Sequence, residues 1–114
     1  MGIRIDGELI IIDGDMSGNV VSDPINLSAF VGAAIQAIYT GSPDGDLDFE
    51  GSCQLTQDPS LVTEWTILHS EPISAAGNKI FNFKNTFYKW VRLNYKFNSG
   101  SGQLNATVVL KGDW

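Results

Sequence analysis

The sequence predicts an all-β fold, a two-sheet antiparallel β-sandwich of jelly-roll type with about eight strands. Three observations carry this. Gly, Ser, Asn and Asp clusters punctuate the 114 residues at short intervals, with β-branched and aromatic runs between them. Apolar and polar residues alternate with period two, most clearly from Asp46 to Leu55. Helical patterning is nearly absent. Ser28 to Tyr39 holds Ala33, Ala34 and Ala37, but Ile35, Ile38, Tyr39 and Thr40 tip the segment to strand. A chain of this length is expected to form a single domain over residues 1–114 and to bury roughly two-thirds of its unfolded surface.

Taken in order, Ile3-Arg4-Ile5, Asp6-Gly7 and Glu8 to Ile12 read as a hairpin closed by a two-residue turn. It would make residues 1–12 an N-terminal arm. Asp13 to Asn19 reads as a loop. Ile25 to Phe30 and Ala34 to Thr40 read as strands broken by Gly32. From Asp46 onward, Leu47, Phe49, Gly51, Cys53 and Leu55 share an inner face, while Asp46, Asp48, Glu50, Ser52 and Gln54 share a wet one. The single cysteine, Cys53, is therefore expected in the core. Val62 to Leu68 is a strand around Trp65, with His69 at its end, and Lys79 to Phe83 is another. Thr86 to Phe97 is a long strand with Tyr88, Trp90, Arg92 and Asn94 facing opposite to Val91, Leu93 and Tyr95. After Ser99-Gly100-Ser101-Gly102, a last strand puts Leu104, Ala106, Val108 and Leu110 on one face.

Composition excludes several roles. No apolar run approaches the roughly 20 residues that span a bilayer, and Arg4, Asp6 and Glu8 interrupt any secretory h-region near Met1. Residues 1–57 hold one base, Arg4, against nine acids, a net −8; residues 58–114 hold six bases against four acids, a net +2. The total of −6 repels nucleic acid. The asymmetry fits acidic strands lying beside basic ones, or copies meeting through complementary faces.

Catalytic residues are not expected. His69 is the one histidine, and no nucleophile elbow, phosphate loop or Cys/His zinc spacing occurs. No cofactor is implied. Asp13, Asp15, Ser17 and Asn19 imitate the first half of a calcium loop around Gly18, but Pro24 stands where the bidentate Glu belongs, so the segment reads as a polar turn. Tyr88 and Trp90 are the candidates for stacking on a glycan, with core packing as the competing role. Trp65, Trp114, Tyr39 and Tyr95 complete the set of Trp and Tyr side chains.

The run Phe87-Tyr88-Lys89-Trp90-Val91-Arg92-Leu93-Asn94-Tyr95, then Ser99 to Ala106 and Lys111-Gly112, resembles the ending of small β-sandwich virion proteins of tailed bacteriophages. Upstream, Tyr39 to Leu47, Gly51-Ser52 and Trp65-Thr66 fit the same pattern, so the likeness covers residues 15–112. Discoidin-like and carbohydrate-binding sandwiches share the arginine strand. The resemblance implies a non-enzymatic capsid decoration (cement) or tail-associated component, assembled as a homotrimer with other virion proteins as partners. It would be built in the host bacterial cytoplasm and carried on the virion. The alternative is a carbohydrate-binding or host-adhesion module holding a surface glycan. For the virion role, Ile3, Ile5, Leu9, Ile10, Ile11 and Ile12 are the candidate subunit contacts, and Arg92 is the candidate for a structural ion pair with a carboxylate between Asp44 and Glu50.

Overall fold

A computed structural model of the chain describes residues 3–84 and 89–113. Nine strands follow in order: β1 (Ile3–Asp15), β2 (Val20–Val21), β3 (Ile25–Asn26), β4 (Gly32–Tyr39), β5 (Ser42–Ser52), β6 (Thr66–Ile73), β7 (Gly77–Lys84), β8 (Trp90–Ser101) and β9 (Gln103–Asp113). One sheet has the order β1-β9-β4-β7. The other runs β2-β8-β5-β6, with β3 also on β8. All pairings are antiparallel. Counting β2 and β3 as one interrupted edge strand, this is the jelly-roll order, two interleaved Greek keys whose sheets stack face to face.

The core fills by size complementarity. The five-stranded sheet supplies large side chains, Leu47, Phe49, Leu93 and Tyr95, all fully buried. The four-stranded sheet answers with Ile35, Leu104 and Val108 among the smaller Ala33, Ala37 and Ala106. Bulky rings opposite alanines let two flat faces reach crystal-like density. Phe49 stacks on Phe81 of the opposite sheet at 5.1 Å between centroids, and Phe81 meets Phe83 edge-on at 4.8 Å.

Several sequence expectations are corrected. Asp6-Gly7 makes no turn: β1 is one strand along β9, pairing Ile3 with Asp113 through Asp15 with Gln103. Turn-forming residues in a strand are tolerated here because Gly7 sits against Val109 on an edge. The strand also absorbs the first three residues of the expected Asp13–Asn19 loop, with Asp13 at a φ of 51° and bulges on either side of Ile11. Strand pairing at Ile25 stops after Asn26. Gly32 begins β4 rather than breaking it. Trp65 lies just before β6, and His69 sits within that strand, not at its end. Thr86 to Tyr88 lie outside the described residues, and β8 starts at Trp90.

A corner joins the two sheets where Thr40-Gly41-Ser42 meets Ser99-Gly100-Ser101-Gly102. Gly41 and Gly100 have φ of 82° and 83°. A Cβ on Gly100 would strike the Ser42 carbonyl oxygen, so the two backbones approach each other only because no side chain intervenes. The two glycine-rich motifs, about sixty residues apart in sequence, form this one contact.

Candidate functional site

The two outer faces of the sandwich differ in kind. On the five-stranded sheet, β5 turns Asp48, Glu50 and Ser52 outward opposite Asn94, Arg92 and Trp90 of β8. This face is not wet as expected: Asp48 and Glu50 keep 2% and 4% of their surface. Each carboxylate is partnered. Arg92 Nε donates to Glu50 Oε1 at 2.6 Å, and the guanidinium carbon lies 4.3 Å from the Trp65 ring centroid. Lys96 Nζ lies 2.8 Å from Asp48 Oδ2, while Ser70 Oγ donates to Asp48 Oδ1 at 2.5 Å. The hydrogen bond that Lys96 itself donates to Asp48 holds its ammonium above its ordinary pKa.

The segment between β5 and β6 folds beside this face. Pro59–Leu61 forms a single 3-10 turn capped by the Asp58 side chain, which accepts from Ser60 N at 2.9 Å. Gln54 Oε1 accepts from both Thr63 N and Glu64 N at 2.7 Å. Val62 and Trp90 are buried yet stand apart from the central core, as a satellite of this outer layer. The inner-face alternation fails past Ser52, where β5 ends. Cys53 is exposed rather than a core thiol, and Leu55 is 85% exposed. Once the strand stops, period two no longer dictates a side.

The four-stranded sheet presents the opposite chemistry. Its register lays out rows across the outer face: Gly7, Val109, Ala34 and Asn82; then Leu9, Thr107, Gln36 and Ile80; then Asn105, Ile38 and Asn78. Ile5, Leu9, Ile12, Ile38, Ile80 and Val109 are exposed here by 44–66%. Lys111 is the one ionisable group among the described side chains of these rows and their Ile5 neighbour row. A shallow hollow of about 540 Å³ lies over Gly32 and Ala34, where small side chains leave space beside Val109.

The six nominated contacts therefore divide. Ile5, Leu9 and Ile12 lie exposed on this face. Ile11 is buried in the core and Ile10 is half-buried against it, so neither offers a contact surface. The bulge between Leu9 and Ile11 causes the division by shifting the alternation one place. Ile3 is described by its backbone pairing with Asp113 alone. Sequence reading missed Ile38, Ile80 and Val109. Their signal was an apolar residue at the polar phase of three separate strands, legible only once those strands are neighbours.

Of the glycan-stacking pair, Trp90 is only 4% exposed, and Tyr88 and Trp114 lie outside the described residues. The calcium-like loop is engaged otherwise. Asp15 Oδ1 accepts from Ser17 N at 2.9 Å and Ser17 Oγ at 2.7 Å, which lowers its pKa. Asn19 Oδ1 caps Phe97 N at 2.8 Å, and Asp13 N donates to Asn105 Oδ1 at 3.0 Å. Among the described residues no group of three or more His, Cys, Asp or Glu is placed to hold a metal ion. No helix among them is long and apolar enough to cross a membrane. His69 stacks on Phe81 at 5.4 Å with its Nε2 buried and 3.9 Å from Glu71 Oε2, a seam between the sheet edges that Lys79 and Glu71 close at 3.2 Å.

No family model matches the chain, and no curated protein matches it. Solved structures do share its fold. The SPBc2 prophage-derived protein YomS aligns with a TM-score of 0.58 at 9% identity, covering 96% of each chain. The PBSX exported protein XepA aligns with a TM-score of 0.62 at 12% identity, over 96% of this chain and 38% of that one. A Bacillus endospore appendage, of a family forming disulfide-linked pili, gives 0.52 at 11% identity over 97% and 89%. At these identities the likeness is one of fold: the chain is an all-β jelly-roll sandwich of the kind seen in prophage-derived and appendage proteins.

Proposed function

We propose that the chain is a non-enzymatic structural building block of a bacteriophage particle, a capsid decoration or tail-associated component that self-associates and docks through its four-stranded face. The observation that carries this is the aliphatic surface of Ile5, Leu9, Ile12, Ile38, Ile80 and Val109 on an otherwise acidic chain. The described side chains of this face, in its rows from Ile5 to Ile38, include no carboxylate, so two copies of a −6 chain approach there with least repulsion. Four strands at about 4.8 Å spacing and eight or more residues of length give a few hundred Å² or more, the order of one partner's share of a standard interface. The fold shared with prophage-derived YomS and XepA and the virion-like motifs of the sequence support the same reading. The outer layer of the other sheet is instead centred on ion pairs, Arg92 with Glu50 under Trp65 and Lys96 with Asp48, with Val21 and Ile67 exposed toward its edges.

The experiment is the solution mass of the purified chain by light scattering, with calcium and with chelator, beside the variant Leu9→Lys/Ile38→Lys. The expected result is an oligomer indifferent to chelator, weakened by the two lysines while the melting temperature holds. A wild-type monomer at every concentration removes the self-associating building block. Calcium-dependent assembly would return the Asp13–Asn19 loop to consideration.

A further inference from the structure

Three of the four sheet edges are guarded. Edge strand β1 carries two bulges and places Asp6 and Glu8 on its core-side positions, opposite Leu110 and Val108. The β2 and β3 edge is broken into two residue pairs. Strand β6 contains Pro72 and a bulge opposite Phe49/Glu50. Bulges, prolines, inward charges and shortness are the devices that stop an edge from pairing with another chain.

Strand β7 has neither bulge nor proline nor shortness; of these devices it carries only one inward charge, Lys79, opposite the buried Ala37. Its eight residues match β4 one for one, Gly77 with Tyr39 through Lys84 with Gly32, with no shift and no proline. Ile80, Phe81 and Phe83 give it strong strand character. Its one mid-strand charge, Lys79, does not blunt the edge, because its ammonium is held 3.2 Å from Glu71 across the seam. Among the described residues no strand lies on its far side.

We infer that β7 is the pairing edge between two copies of this chain, joined antiparallel about a two-fold axis through Ile80. This rests on the building-block reading and deepens it. Residues opposite each other in an antiparallel pair share a face, so an axis through Ile80 sets Ile80 against the partner subunit's Ile80. It also sets Asn78 against the partner subunit's Asn82, and Lys79 against the partner subunit's Phe81. Apolar meets apolar and amide meets amide, with no like charges opposed. An axis through Lys79 would oppose two ammonium groups, and one through Phe81 would set Ile80 against asparagine. The pairing merges two four-stranded sheets into one of eight and doubles the aliphatic face. It yields assemblies of even number, in place of the homotrimer that the resemblance implies.

The test is sedimentation velocity over a concentration series on three full-length proteins: wild type, Asn78→Lys/Asn82→Lys, and Asn78→Lys/Asn82→Glu. Both positions are exposed, and unchanged melting temperatures verify folding. The expected result is a wild-type dimer, weakened about tenfold or more by the double lysine, whose like charges oppose twice, and retained by the lysine–glutamate variant, whose charges attract twice. Amide exchange along Gly77–Lys84 slows as the dimer forms. A trimer in wild type, equal weakening by both variants, or no weakening by either overturns edge pairing and leaves the building-block reading standing. A wild type that is monomeric throughout overturns both.

Discussion

Arg92 Nε meets Glu50 Oε1 at 2.6 Å, and the carboxylate it meets is almost wholly enclosed. The arginine itself keeps 24% of its side-chain surface, so the pair sits at the boundary between buried and exposed ion pairs. Removing the cation strands a buried charge, which is worse than never having had the pair. Arg92→Ala is expected to lower unfolding free energy by about 2–3 kcal/mol, below the fully buried range because of that partial exposure. Arg92→Lys should recover part of the loss, having no planar group to lie on Trp65. Urea denaturation of the two variants checks both, and an Arg92→Ala protein as stable as wild type would refute the role of the pair.

The glycine corner makes a sharper prediction. Gly100→Ala places a methyl group on the Ser42 carbonyl at a positive φ, and the expected loss is about 2 kcal/mol or more. Gly18→Ala is the control, since nothing lies within 4 Å of its Cβ position. Paired thermal melts should show a clear drop for the first and almost none for the second.

Alkaline pH should destabilise the fold through three groups at once. Burial raises the Tyr95 phenol above 10.0, helped by Asp44 and Asp46. Burial raises Tyr39 as well, with Glu71 adding to it and Lys79 opposing. Lys96 is raised above 10.5, first by its hydrogen bond to Asp48. In each case the fold holds a proton that the unfolded chain releases sooner. The contribution is therefore complete below about pH 10 and is lost as pH climbs through the folded values. Melting temperatures measured from neutral pH to above pH 11 should hold and then fall, and Tyr95→Phe should make that fall shallower.

Burial, not alternation, ranks the outer-layer side chains. Trp90→Ala is expected to cost about 3–5 kcal/mol, as for a core aromatic, although it faces away from the central core. Leu55→Ser, at a position that period two had placed inside, should change stability by no more than about 0.5 kcal/mol. Chemical denaturation of the two proteins side by side decides it.

These contrasts show which features could be read early. The alternations Leu47-Phe49, Val91-Leu93-Tyr95 and Leu104-Ala106-Val108-Leu110 name their own inner faces, because a strand's period is local chemistry repeated every second residue. Asp6-Gly7 misled for the same reason: as a dipeptide it prefers a turn, and pairing with Leu110 and Val109 overrides that preference.

What the sequence by itself determined is therefore the all-β class, the inner faces of the regular stretches of β5, β8 and β9, and the scarcity of catalytic groups. Tertiary structure alone decided that Asp48 and Glu50 are enclosed, that Ile11 turns inward while Ile12 stays out, and that Ile38, Ile80 and Val109 join Leu9 on one face. Which strand lies beside which is set by contacts between residues far apart in the chain. Burial of a side chain on an outer face depends on what folds over it, and local periodicity carries no record of either.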